Sequence, residues 1–126
     1  MTAESFKVLI CDDSILSRKQ IKDVLTGLGC GHIEQAPDGI TAVEKYKEFH
    51  PDLVLMDIVM PKKDGLDALK DILAYDSKAY VVMASSVGSK EHLTMAIQAG
   101  ARDFIQKPIK QEQLAHIFNI AIGGGI

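Results

Sequence analysis

Leu53-Val54-Leu55-Met56-Asp57 is an apolar run closed by a carboxylate, with Pro51 before it and the Pro61 and Gly65 loop after it. That reads as a buried strand ending in a reactive group. Three other stretches share the design. Lys7-Val8-Leu9-Ile10-Cys11 runs into Asp12-Asp13, Tyr80-Val81-Val82-Met83-Ala84 into Ser85, and Phe104-Ile105-Gln106 into Lys107-Pro108. As parallel strands of one α/β sheet, the four would bring their polar ends to one edge, where open α/β sheets bind ligands. Three carboxylates, a hydroxyl and an ammonium meeting there make a site for a divalent cation and a phosphoryl group.

Between the strands the chain reads as helix. Ser14 can cap a helix to about Leu28, with Ile21, Val24, Leu25 and Leu28 on one face, broken by Gly27, Gly29 and Gly31. A short strand, His32 to Ala36, precedes Pro37-Asp38-Gly39 and a helix to Phe49. A third helix is expected from about Leu66 to Ala74. A fourth runs from Lys90 to Ala99, capped by Ser89 and closed by Gly100. The last spans about Lys110 to Ala121, with Leu114, Ile117, Phe118 and Ala121 inward, and Gly123-Gly124-Gly125 ends it. Five βα units in one run predict a single α/β domain over residues 1–126. The expected form is a doubly wound, five-stranded parallel sheet with right-handed crossovers and five helices on its two faces.

Composition narrows the partners. The 126 residues are 47% hydrophobic and 25% charged, ordinary for a soluble domain. A net charge of −3 argues against a nucleic-acid or anionic-membrane surface. No apolar stretch reaches the ~20 residues of a membrane span, and Met1 to Phe6 lacks the pattern of a signal peptide. A cytoplasmic location is the expectation. Cys11 and Cys30 fall near opposite sheet edges, so no disulfide is expected. His32, His50, His92 and His116 are scattered and read as surface or structural residues, and Lys62-Lys63 as a solvated loop tip.

Together, Asp12-Asp13, Asp57, Met60-Pro61 with Asp64-Gly65, Ser85, Ala99-Gly100-Ala101 with Asp103-Phe104, and Lys107-Pro108 cover nearly the whole chain in order. In that combination the sequence resembles a response-regulator receiver domain of the stand-alone chemotaxis type. The resemblance implies the flavodoxin-like strand order 2-1-3-4-5.

The chemistry follows from the residue types. Two carboxylates about 4 Å apart repel by roughly 4 kcal/mol at an effective dielectric near 20, so one is protonated or a cation neutralises them. Hard oxygen ligands with room for water favour magnesium. Asp57, alone on the central strand, is the candidate nucleophile and phosphoacceptor, forming an aspartyl phosphate. The metal and Lys107 would shield the phosphoryl oxygens, and Ser85 would donate a hydrogen bond to one of them. By resemblance, Asp13, Asp57 and the backbone carbonyl of Val59 bind Mg2+ directly, while Asp12 acts mainly through water. Alone, Asp12 and Asp13 could equally cap the first helix.

The resemblance also implies a switch. Phe104 would turn inward when Ser85 moves toward the phosphoryl group, a two-state element of the kind signalling needs. Receivers of the chemotaxis type often carry Tyr there, and Phe offers no hydroxyl to a partner. On the fourth helix Leu93, Ala96, Ile97 and Gly100 are expected to face the sheet and Met95 to face solvent. Implied partners are a histidine kinase as phosphodonor, a downstream protein target such as the flagellar motor switch, and a phosphatase; the protein would be a monomer. A receiver excised from a larger regulator, a phosphorelay intermediate, a degenerate receiver that is never phosphorylated, and a metal-dependent aspartyl-phosphate phosphatase are the alternatives. Such phosphatases carry a second Asp two residues past the nucleophile, where this chain has Val59. Val59 and Val87 would crowd the path of attacking water and slow self-dephosphorylation.

Overall fold

Strand and helix alternate from end to end. The computed structural model describes residues 2–86 and 90–123. The elements are β1 (Lys7–Cys11), α1 (Ile15–Gly27), β2 (His32–Ala36), α2 (Gly39–Phe49), β3 (Leu53–Asp57), α3 (Gly65–Tyr75), β4 (Val81–Ser85), α4 (Lys90–Ala99), β5 (Asp103–Gln106) and α5 (Gln111–Ile122). Local chemistry sets the helix starts. The side chains of Ser14, Asp38 and Asp64 accept hydrogen bonds from the backbone N–H groups of Ser17, Thr41 and Asp67. Each thereby satisfies an otherwise orphaned donor in the first turn.

All four strand pairings are parallel, and the order is β2-β1-β3-β4-β5. From β1 the chain steps one way to β2, then returns past it to β3 and continues the other way. Right-handed crossovers must then put α1 on one face and α2, α3 and α4 on the other. The core divides accordingly. Leu9, Cys11, Val54, Met56 and Met83 pack with Ala42, Tyr46, Leu69, Ile72 and Ala96 of α2, α3 and α4. Val8, Ile10, Leu53, Leu55 and Val82 pack with Ile21 and Leu25 of α1 and Leu114, Ile117 and Phe118 of α5. Period-two alternation along strands buried on both faces produces this division.

The element boundaries differ little from expectation. β4 is displaced by one residue, which makes Ser85 its last member, and α3 begins at Gly65. The cap expected of Ser89 and the end expected at Gly124-Gly125 lie outside the described residues. Helix α4 differs more. Leu93 and Ile97, expected to face the sheet, are 40% and 46% exposed. Ala96 is the fully buried residue, flanked on the same face by half-buried His92 and Ala99. The positions 92, 96 and 99 form one helical stripe, and small residues on it let the helix lie close to the sheet.

Candidate functional site

The crevice lies where the chain leaves β1 in one direction and β3 in the other, the switch point of an open α/β sheet. Asp12, just past β1, is buried; its N–H donates to the Ala36 carbonyl at 3.0 Å, and its Oδ1 accepts from the Ser14 N–H at 2.9 Å. Asp13 beside it is exposed. Asp57 closes β3 half-buried, and the following N–H, of Ile58, donates to the Ala84 carbonyl at 3.0 Å. Each of Asp12, Asp13 and Asp57 offers a carboxylate oxygen, and these atoms lie within 4.8 Å of one another.

Lys107 reaches this cluster from the far side of the sheet. Its N–H donates to the Ser85 carbonyl at 2.8 Å, and its peptide bond to Pro108 is cis. Its ammonium bonds Asp12 Oδ2 and lies 3.2 Å from Asp57 Oδ2. Burial would lower the Lys107 pKa, but the hydrogen bond to Asp12 and the charges of Asp57 and Asp12 more than offset it, so the ammonium is held firmly. Asp57 is also shifted upward, which in a carboxyl disfavours the charged form. Burial raises its carboxyl pKa, and Asp12 adds to this against the attraction of Lys107. Three carboxylates against one ammonium leave two negative charges, with oxygen donors only. That donor set fits a hard divalent cation of the magnesium type.

Ser85 is buried at the end of β4, one residue past Ala84, which pairs with Asp57. Phe104 is half-buried against the α4 side of the core. Of the titratable and thiol groups away from the cluster, none makes a second metal-binding group among the described residues. Cys11 and Cys30 are free and buried. Burial holds both thiols above their ordinary range, so neither is a thiolate nucleophile.

The loop after Asp57 is held more tightly than the sequence suggests. A Cβ on Gly65 would fall 1.9 Å from the Asp57 carbonyl oxygen, and one on Gly39 2.0 Å from that of Lys63. Only glycine permits either approach. Lys62 is solvated as expected of a loop tip and Lys63 is half-buried, but both ammonium groups are paired. Lys62 takes a left-handed φ of 68° with its ammonium 3.7 Å from Asp38, and Lys63 pairs with Asp71 on α3. Asp38 is buried, and the N–H of Thr41 leads the bonds that hold its carboxyl below the usual range. Val59 sits in this loop 59% exposed, and Val87 lies outside the described residues.

Sequence reasoning passed over Arg18 and Gln35. Arg18 on α1 donates from Nη1 to the Asp12 carbonyl and from Nε to Gln35 Oε1 at 3.0 Å. The available signal was an arginine one turn past the Ser14 cap, which by itself points nowhere.

A doubly wound sheet with an acidic triad and a lysine at its switch point defines a class of α/β domain whose donor set at the carboxyl edge suits a divalent cation. The profile of the response regulator receiver domain matches residues 8–119. The chain is 45% identical to the chemotaxis protein CheY of Bacillus subtilis (strain 168) over 113 residues, 90% of this chain and 94% of that one. It is 42% identical to CheY of Thermotoga maritima over the same shares. In three dimensions it is similar to a chain in the CheX-CheY-BeF3-Mg+2 complex from Borrelia burgdorferi. That match has a TM-score of 0.87 and 36% identity, over 94% of this chain and 89% of the other. This chain therefore belongs to the response regulator receiver domain family, as a CheY-like member of two-component signalling. Among the described residues no helix is long and apolar enough to cross a membrane.

Proposed function

We propose that residues 1–126 form one receiver domain that works as a phosphorylation-dependent switch, with Asp57 as phosphoacceptor and a histidine kinase as donor. The observation that carries this is the Asp57 carboxylate lying 3.2 Å from the Lys107 ammonium, inside a cluster of carboxylates spanning no more than 4.8 Å. An Asp57 oxygen attacks phosphorus, the bond from phosphorus to the donor's imidazole nitrogen breaks, and the imidazole leaves with the electron pair and takes up a proton. Lys107 orients Asp57 and offers positive charge to the incoming phosphoryl oxygens, and the Ser85 hydroxyl donates to one of them. Asp13, Asp57 and the Val59 carbonyl would hold Mg2+, with Asp12 acting through water; bound there, the ion neutralises charge on the phosphoryl oxygens.

Phe104, half-buried beside α4, then turns inward as Ser85 closes on the phosphoryl group, and the face formed by α4 and β5 changes. The CheY relatives support a chemotaxis pathway, a cytoplasmic setting and a downstream protein target, the flagellar motor switch being one. The Borrelia relative in complex with CheX and Mg2+ supports a metal at the triad and a partner of phosphatase type. The domain acts as a monomer and binds neither nucleic acid nor membrane; its only catalysis is its own phosphoryl transfer and slow dephosphorylation. Incubation with acetyl phosphate and Mg2+, followed by mass spectrometry, should show one phosphoryl adduct that maps to Asp57. An intact mass unchanged at saturating donor and metal, or an adduct mapping elsewhere, would end this reading.

A further inference from the structure

Asp12 and Asp13 are adjacent in sequence and held in different ways. The Asp12 carboxylate is buried and bonded to Lys107 and to the Ser14 N–H. Asp13 is exposed, so its carboxylate is aimed by its backbone alone. The peptide plane that sets this backbone contains the Asp12 carbonyl and the Asp13 nitrogen. That carbonyl is the acceptor of the Arg18 Nη1. Arg18 is itself braced, because its Nε donates to Gln35 on β2, the residue opposite Ile10 in the ladder. A planar guanidinium can bond two fixed acceptors at once, which locks its own orientation.

We propose that Arg18, braced by Gln35, is a positioning residue that fixes the Asp12-Asp13 peptide and thereby aims the Asp13 carboxylate at the metal. The inference rests on the reading above that the triad binds magnesium. Two physical roles for Arg18 predict opposite signs. If Arg18 acted only as a nearby positive charge, removing it would tighten binding of a cation. If it positions Asp13, removing it weakens binding, as loss of an outer partner of a metal ligand does.

Magnesium titration of the full chain, followed by amide chemical shifts, separates the two. Arg18→Ala should weaken Mg2+ by about tenfold. Arg18→Lys should weaken it less than Arg18→Ala but measurably, since the charge stays and the fork is lost. Gln35→Ala, which removes no charge, should move in the same direction by a smaller factor. Lys19→Ala removes a cation from the exposed side of the same helix, where Lys19 pairs with Asp23, and should leave affinity unchanged or slightly tighter. In the metal-free protein, amide hydrogen exchange at Asp13 and Ser14 should quicken in Arg18→Ala and Gln35→Ala and not in Lys19→Ala.

Unchanged or tighter Mg2+ binding in Arg18→Ala overturns the proposal, as does full retention by Arg18→Lys with no effect of Gln35→Ala. If Arg18→Ala fails to fold, Gln35→Ala decides. If the parent protein binds no Mg2+, the function proposed above falls. The exchange at Asp13 still shows whether Arg18 holds that peptide, and unaltered exchange sinks the inference.

Discussion

The two halves of the sheet's carboxyl edge are built differently. At the ends of β1 and β3, the reactive groups are continuations of strands: Asp12 donates its N–H to Ala36 and accepts from Ser14 and Lys107, and Asp57 accepts from Lys107 while the next N–H, of Ile58, donates to Ala84. Between the end of β4 and the start of β5, the chain passes through α4, a helix that presents Leu93, Met95 and Ile97 outward and buries little beyond Ala96. The first half is a rigid electrostatic frame. The second half is lightly packed and carries apolar surface. In a switch the chemistry needs the frame and the output needs the looser half, since weakly packed elements are the ones that move at low cost.

The sharpest way to break this contrast is at Asp57. Asp57→Asn is nearly isosteric and should abolish the phosphoryl adduct with the fold retained. Because burial raises the carboxyl pKa of Asp57 above its unfolded value, ionising it in the folded state costs stability. That cost is present above the folded pKa and absent below the unfolded one. Asp57→Asn should therefore match or exceed the parent in Tm at pH 7 without metal, with the gain vanishing as pH falls below the ordinary carboxylate range. Phosphate uptake by the mutant, or a large loss of Tm at neutral pH, would show that Asp57 is structural.

Within the frame, Asp12 and Asp13 should separate. Asp12→Ala leaves Lys107 without one of its two carboxylate partners in a site where its side chain is 16% exposed, and should cost about 3 kcal/mol in denaturant unfolding. Asp13→Ala should cost little stability yet weaken Mg2+ by at least about tenfold, the scale on which even outer partners of a metal act. Equal metal losses for the two, or a larger one at Asp12, would overturn the division of roles.

In the looser half, Ala96→Leu should destabilise by about 1–3 kcal/mol, because it forces bulk into a closely packed stripe. Ile97→Ser, on the exposed side, should stay within about 0.5 kcal/mol. Similar costs at both positions would mean that α4 sits in a different rotation. The smallest effect is expected at Val59. Val59→Asn gives water a hydrogen-bonding partner beside Asp57, and decay of the phosphorylated protein after donor removal should quicken several-fold at most. Unaltered decay would mean that water positioning there does not limit the lifetime.

Sequence alone determined the alternation and the parallel sheet, and it placed Asp12, Asp13, Asp57, Ser85 and Lys107 at or just past the strand ends. Those features are local or follow from chain order. Two-sided burial makes strands read as apolar runs, and parallel strands in one sheet must deliver their ends to one edge. Resemblance to receivers then supplied the strand order that the structure bears out. The rotation of α4 was not legible, because its larger apolar residues suggested one face and close approach to the sheet selected the stripe through Ala96. The ion pairs of Lys62 and Lys63 with Asp38 and Asp71, and the Arg18 bridge from Asp12 to Gln35, were decided only in the tertiary structure. Each depends on where a long flexible side chain ends once separate elements have docked, and no sequence period encodes that distance.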